Sequence, residues 1–387
     1  MDRRTLLRAT VLGAGAVALP FTGWSAAYAA AREDTGPYGP LGAADANGIS
    51  LPAGFTSSVV ARSGRTVANT GYRWHDAPDG GATFPDGDGW IYVSNSEVPL
   101  PAGRGGASML TFDAAGRVVG ARRILSGTTS NCAGGGTPWN TWLSCEEIDR
   151  GRVFETYPRG GRAAVARPAM GRFKHEAAAA DPARRVVYLT EDEPDGRFYR
   201  FVPARWPNLS AGTLQVLCGG TGTSGAFTWA RVPDPDGLPV RTRHQVPAAK
   251  RFNGGEGCYY ADDTVWFTTK GDNRIWEVDL KAGRYRLAYD DNLIKPGPAP
   301  LTGVDNLTGS SYGDLYVAED NGNMEICMIT PAARVSRFLR VNGHDRSELT
   351  GVAFNPKGDR FYFSSQRGGS GLITDGITYC VQGPFRT

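Results

Sequence analysis

An acid or a thiol recurs ten to sixteen residues ahead of a short, aromatic-led segment, at Asp76, Cys132, Glu176, Glu256, Asp305 and Glu348. A second set stands at the ends of those segments: Glu97, Glu146, Glu147, Glu191, Asp192, Glu193, Glu319 and Asp320. Together they hold 13 of the 39 acids of a chain whose formal net charge is only +3. Carboxylates about 5 Å apart repel by roughly 3 kcal/mol at an effective dielectric near 20. A dozen gathered at one place therefore need cations or raised pKa values. Hard carboxylate oxygens suit Ca²⁺, and a thiolate among them favours a transition metal. Any one such acid is more often a turn cap or a solvated group, and it is the registration with a repeat that sets these apart. Within the second set the offset from aromatic to first acid varies, so these side chains do not all face one way, and which of them line the axis stays open.

The cysteines and histidines narrow the chemistry. Cys132 lies in Asn131-Cys132-Ala133-Gly134-Gly135-Gly136, where other repeats carry an acid. The other five cysteines (145, 218, 258, 327 and 380) have no CxxC spacing and read equally well as disulfides or as buried thiols. Four histidines are too few for a His-rich zinc site, and His175 beside Glu176 reads equally as a ligand or as a partner of one. Nucleophile-elbow, Walker and HExxH motifs are absent, which leaves serine hydrolase, NTPase and zincin readings without support.

The positioning elements come from the repeat itself. Tyr92, Trp142, Tyr188, Trp266, Tyr316 and Tyr362 each open an aromatic–aliphatic–small–polar run, at intervals of 50, 46, 78, 50 and 46 residues. Periods in the high forties match four-stranded propeller blades, and apolar residues show no sustained helical period beyond the N-terminal leader. The expected fold is all-β, a six-bladed β-propeller with an axial metal site, an insertion at about 204–250 and residues before Asp76 closing the ring. A pair of β-sandwiches is the competing fold, and near-even intervals argue against it.

With 52 Gly, 25 Pro and 41% hydrophobic residues, the composition excludes collagen, coiled coil and disorder. The small net charge provides no basic surface for nucleic acid. Residues 1–29 read as a twin-arginine signal peptide: Arg3-Arg4 precede a short apolar stretch and Ala27-Tyr28-Ala29. That stretch falls short of a membrane span, so residues 30–387 are expected as a single propeller domain outside the cytoplasmic membrane. The Tat translocase would be a partner during export, with no membrane attachment after cleavage. Because this route carries folded proteins, a metal site loaded in the cytoplasm is expected.

At these residues the chain resembles the PhoX-type alkaline phosphatases, six-bladed propellers exported by the twin-arginine route. The matching pieces begin with Asn131-Cys132-Ala133-Gly134-Gly135 and Trp142-Leu143-Ser144-Cys145-Glu146-Glu147. They continue through Gly171-Arg172-Phe173-Lys174-His175-Glu176, Glu191-Asp192-Glu193 and Glu256-Gly257. Asp305-Asn306-Leu307, Glu348-Leu349-Thr350-Gly351 and Gln366 complete them. The resemblance implies hydrolysis of phosphate monoesters, with phosphorylated small molecules as substrates, at a cluster of two irons and several calcium ions. It implies Cys132 as a thiolate ligand of the iron pair, and Glu176 and Glu256 as iron or bridging ligands. Glu147, Asp305, Glu319 and Asp320 become calcium-side candidates, and Glu348 a further ligand. Arg251 and Lys270 are candidates, on position alone, for clamping the phosphate. Two other readings stand beside it: a noncatalytic calcium-stabilised propeller binding a glycan or protein partner, and a calcium-dependent lactonase.

Overall fold

The structure, a computed structural model, describes residues 36–294 and 298–387. The signal-peptide reading at 1–29 lies outside the described residues. The described chain is built from antiparallel strands joined by turns and single-turn 3₁₀ segments. Each aromatic-led run forms the second strand of a meander, and its large side chain packs between neighbouring sheets. Tyr92, Tyr188, Tyr316 and Tyr362 are wholly buried, with Trp142 almost so. Trp90 and Tyr362 join the first and last repeats through a 2.9 Å Nε1–H···O bond.

Six strands line the centre: Pro78–Asp86, Asn131–Gly136, His175–Asp181, Gly255–Ala261, Val304–Gly309 and Leu349–Phe354. Each packs against the next, and the last packs against the first, so they form a closed ring. The expectation of six separate sheets is corrected, because the described strands form five, in a propeller-like arrangement. The third and fourth repeats share one nine-stranded sheet. Its seam lies in the 204–250 interval, where Asn208–Gly219 and Ser224–Arg231 form a hairpin. Ser224–Ala226 then pairs with Arg284–Arg286, the outer strand of the next repeat. The N-terminal segment closes the ring as expected: Thr56–Arg62 is the outermost strand of the last sheet, paired with Ile377–Gln382. Among the described residues no helix is long and apolar enough to cross a membrane.

One local irregularity recurs in all six inner strands. The first residue of each pairs with the end of its second strand, as in Pro78↔Ser96, Asn131↔Glu146 and His175↔Glu191. Gly255↔Thr269, Val304↔Glu319 and Leu349↔Ser365 continue the series. The register then slips over the next two or three residues, a bulge that re-aims a side chain. Asp79, Cys132, Glu176, Glu256 and Asp305 stand at this bulge; in the sixth repeat the equivalent Thr350 still pairs with Ser364 and the slip follows it. Small residues follow four of the five ligand-type residues because the ring is tight. A Cβ on Gly80 would lie 2.4 Å from Ala133 Cα, and one on Gly257 2.7 Å from the Leu307 nitrogen.

Candidate metal centre

The bulges bring the acids of different repeats together. Asp79, Glu97 and Cys132 offer ligand atoms all within 4.8 Å of one another; so do Cys132, Glu147 and Glu176, and so do Glu176, Glu256 and Asp305. These triads share members, so seven side chains from five repeats form one continuous cluster. Glu348 adds its charge beside Asp320, Asp79 and Asp305. Its backbone also bridges to Asp320.

The strand-end acids sort by position. Where two acids are consecutive, the first turns away from the cluster and ties down its own hairpin. Glu146 accepts from the Arg152 nitrogen at 3.2 Å, Glu191 from that of Arg197 at 3.1 Å and Glu319 from that of Glu325 at 3.0 Å, six residues on in each case. The second of each pair, Glu147, Asp192 or Asp320, joins the cluster. Strand alternation forces the division. Glu97, Lys270 and Gln366 hold the equivalent place in the other three repeats.

This geometry sets two of the expected acids apart from the shared cluster, Glu319 in a separate group of possible ligands and Asp76 against Arg104. Glu319 is not part of the cluster; it also accepts from the Thr302 nitrogen at 2.9 Å and sits with Glu325 and Cys327. Glu325 in turn is paired with Arg337 and Arg340. Asp76 lies outside, 3.7 Å from Arg104, and Asp79 takes its place. Of the phosphate-clamp candidates, Lys270 is at the cluster, whereas Arg251 is exposed and lies near the guanidinium of Arg197. All six cysteines are free thiols. His175 is buried against Phe173, its Nε2–H donates to the Gly171 carbonyl at 3.0 Å, and burial pushes its pKa down to about 4.

The electrostatics are those of an undercompensated anionic cluster. Burial pushes Glu176 and Glu256 well above the usual carboxylate range; Glu256 raises Glu176 further, while on Glu256 the opposing pull of Lys270 is met by Asp192, Asp305 and Glu147. Glu147 is pushed up to about 8 and Asp305 to about 7, again by burial first and neighbouring carboxylates second. The Cys132 thiol is driven well up by burial and by Asp79, Glu176, Glu147 and Glu97. Three protein cations answer these charges. Lys174 Nζ lies 2.9 Å from Glu147 and 2.7 Å from Asp192. Lys270 Nζ lies 2.8 Å from Glu256 Oε1, at ion-pair distance without hydrogen-bond geometry, and 3.4 Å from Asp192. Arg367 pairs with Glu348 at 2.8 Å, and Gln366 donates to both Asp79 and Glu97. Burial works against the charge on Lys270, yet Glu256, Asp192 and Glu147 hold its pKa far above the ordinary value.

Glu176 stands apart. It is 0% exposed, and neither carboxylate oxygen has a hydrogen-bond partner. A buried ionised carboxylate without partners is among the costliest arrangements in a protein. The surrounding donors, carboxylate oxygens plus one thiol, fit hard and transition-metal cations together.

Asp79, Lys174 and Arg367 were not picked out from sequence, and Asp192 only as one of the recurring acids, without an assigned role. For Asp79 a signal existed: Asp79-Gly80-Gly81 shares with Cys132-Ala133-Gly134 and Glu256-Gly257 a ligand-type residue followed by small ones. For Lys174 the signal was rarity, since only six Lys stand among 42 basic residues and two of them lie here.

Fold and site thus define an all-β, propeller-like protein whose inner strands present a carboxylate-and-thiol cluster suited to metal ions. The family model described as Alkaline phosphatase PhoX matches residues 106–165 and 149–289. On that match the chain belongs to the PhoX family. Among solved structures it is similar to Pseudomonas fluorescens PhoX in complex with vanadate, a transition state analogue. The TM-score is 0.73 at 19% identity, over 88% of this chain and 97% of that one. A Bacteroides thetaiotaomicron protein of unknown function gives 0.50 at 9% identity, over 85% and 76%. The Xanthomonas campestris gluconolactonase XC5397 gives 0.47 at 14%, over 90% and 99%. Among curated proteins none matches this chain in sequence.

Proposed function

We propose that the protein is an exported, metal-dependent phosphatase that hydrolyses phosphate monoesters of small molecules. Glu176 carries this reading: a fully buried carboxylate with both oxygens unpartnered, beside a thiol and other acids, has the surroundings of a cation ligand. Supporting it are the family match across the Cys132 and Glu176 segments and the closed ring of inner strands. We read the nine-stranded sheet as two blades joined at their outer edge, which makes the fold six-bladed.

In this reading Cys132, Glu176 and Glu256 hold an iron pair, and Glu147, Asp305 and Asp320 hold calcium, with Glu348 a further ligand. Asp79 and Glu97 complete the donor set next to Cys132. When bound, such cations grip phosphate oxygens and offset the charge that builds on the transferring phosphoryl group. The side chains have their own tasks. Lys174 and Lys270 stand at the rim of the cluster, with side chains 31% and 37% exposed, while their ammonium groups reach buried acids. With those acids committed to cations, the Lys174 and Lys270 ammonium groups would be the residues to bind an incoming phosphate. They thereby supply the clamp assigned on position to Arg251 and Lys270. Gln366 keeps Asp79 and Glu97 oriented by donating to both.

Elemental analysis of natively exported protein, with p-nitrophenyl phosphate turnover on the same sample, tests the reading. Iron near two per chain (about two, by analogy with two-metal phosphoryl-transfer sites) alongside calcium, with turnover, supports it. Calcium without iron and no turnover would replace it with a noncatalytic calcium-stabilised propeller.

A further inference from the structure

A cavity of about 490 Å³ opens beside the first repeat. That volume lies within the range of small-molecule sites. Arg73, Arg104 and Arg123 line it together with Tyr72, His75 and Asp76. Three guanidiniums face one carboxylate, and His75 adds no negative charge. Burial and Arg123 hold that imidazole well below its ordinary pKa, so it is neutral.

The cavity is built rather than a chance gap between surface chains. His75 Nδ1 is 2.8 Å from Ser108 Oγ, and the same hydroxyl lies 2.8 Å from the Tyr72 hydroxyl. Arg123 donates to the carbonyl of Gly105 at 2.6 Å, which fixes its head group in the wall. Yet half-buried Arg123 has no carboxylate within ion-pair distance among the described residues, and burial lowers its pKa. Arg104 has Asp76 at 3.7 Å, an open pairing, and Arg73 is exposed at the mouth. Asp76 acts on Arg123 only from beyond pairing distance, and a partly desolvated guanidinium without a directly paired carboxylate is stabilised by an anion that can reach it. The cavity also touches the acid cluster through the chain: Ser96 lines it and bonds the Asp76 carbonyl at 2.8 Å, and the next residue, Glu97, belongs to the cluster.

We infer that this cavity binds the carboxylate or phosphate group of a small organic anion, with Arg73, Arg104 and Arg123 as its recognition residues. The anion has two sources: a free metabolite-sized acid, or the second anionic group of the ester turned over at the cluster. Only the latter rests on the phosphatase reading.

Isothermal titration of the metal-loaded protein with benzene-1,3-dicarboxylate tests the inference. The probe carries two carboxylates on a ring and competes poorly for metal. Saturable binding is expected, weakened at least tenfold (about 1.4 kcal/mol) in the double variant Arg73→Ala/Arg104→Ala. Both positions are exposed, so the variant should melt with the wild type. Absence of saturable binding, or equal binding by the melted-alike variant, overturns the inference. The source is separated by turnover. Competitive inhibition of p-nitrophenyl phosphate hydrolysis, relieved in the variant, assigns the site to the ester. Binding without effect on turnover assigns it to a free anion. If no ester is hydrolysed at all, the titration still decides the cavity.

Discussion

Glu176 and Cys132 decide what the cluster can hold, and both can be tested one atom at a time. Glu176→Gln keeps shape and removes the charge that burial disfavours. The metal-free variant should therefore melt no lower than metal-free wild type, while bound iron falls several-fold. Elemental analysis and differential scanning calorimetry read the two effects separately, and a metal-free variant that melts well below wild type would argue against Glu176 as a ligand held ready. Cys132→Ser replaces a soft donor with a hard one, and iron and turnover should be lost together; full activity in that variant would remove the thiol from the reaction. Much of this cluster was legible in the sequence, because Cys132, Glu176, Glu256, Asp305 and Glu348 all reach it from their repeat positions. Glu319 was grouped with Asp320 because spacing alone does not say which of two consecutive strand residues faces inward. The i→i+6 hairpin bond that occupies Glu146, Glu191 and Glu319 is visible only in three dimensions.

At the scale of the element, the bulge after the first inner-strand pair is what turns six meanders into one centre. In four of the five repeats with a ligand-type residue at the bulge the next residue is small, and Asn306 is the exception. Gly80→Ala would drive a Cβ to 2.4 Å from the Ala133 backbone, a contact no side-chain rotation relieves. Overpacking of this kind costs about 1–3 kcal/mol. Urea denaturation should show that loss, and metal content should fall with it because Asp79 and Cys132 shift apart; an unchanged midpoint would mean that the inner strands are not held this close. Bulges leave little trace in hydrophobic alternation, so the strands were predictable from that pattern while Asp79 showed only in the small residues that follow it. The seam between the third and fourth repeats was equally hidden. The long interval announced extra chain, but an insertion can hang free or pair, and only the register of Ser224–Ala226 against Arg284–Arg286 shows that it pairs.

For the molecule as a whole, the ring of acids couples stability to pH and to cations. Without metal, Glu147 and Asp305 titrate near 8 and 7, above the range of an unfolded carboxylate. The folded state then binds more protons than the unfolded one between roughly pH 4.5 and 8, so stability falls as pH rises through that window. Melting of chelator-treated protein should drop steadily from pH 5 to pH 9, while the metal-loaded protein should show a much flatter profile. Identical slopes for the two forms would mean that these acids do not share a cation. Closure of the ring has a temporal side as well. Thr56–Arg62 finds its partner only in Ile377–Gln382, more than 300 residues downstream. A growing polypeptide must therefore carry this early strand unpaired through most of its synthesis, and its hydrogen bonds form across a very long loop, a slow step. Until then acids from the first and last repeats remain apart and hydrated, so no half-made chain can acquire the complete ion-binding centre.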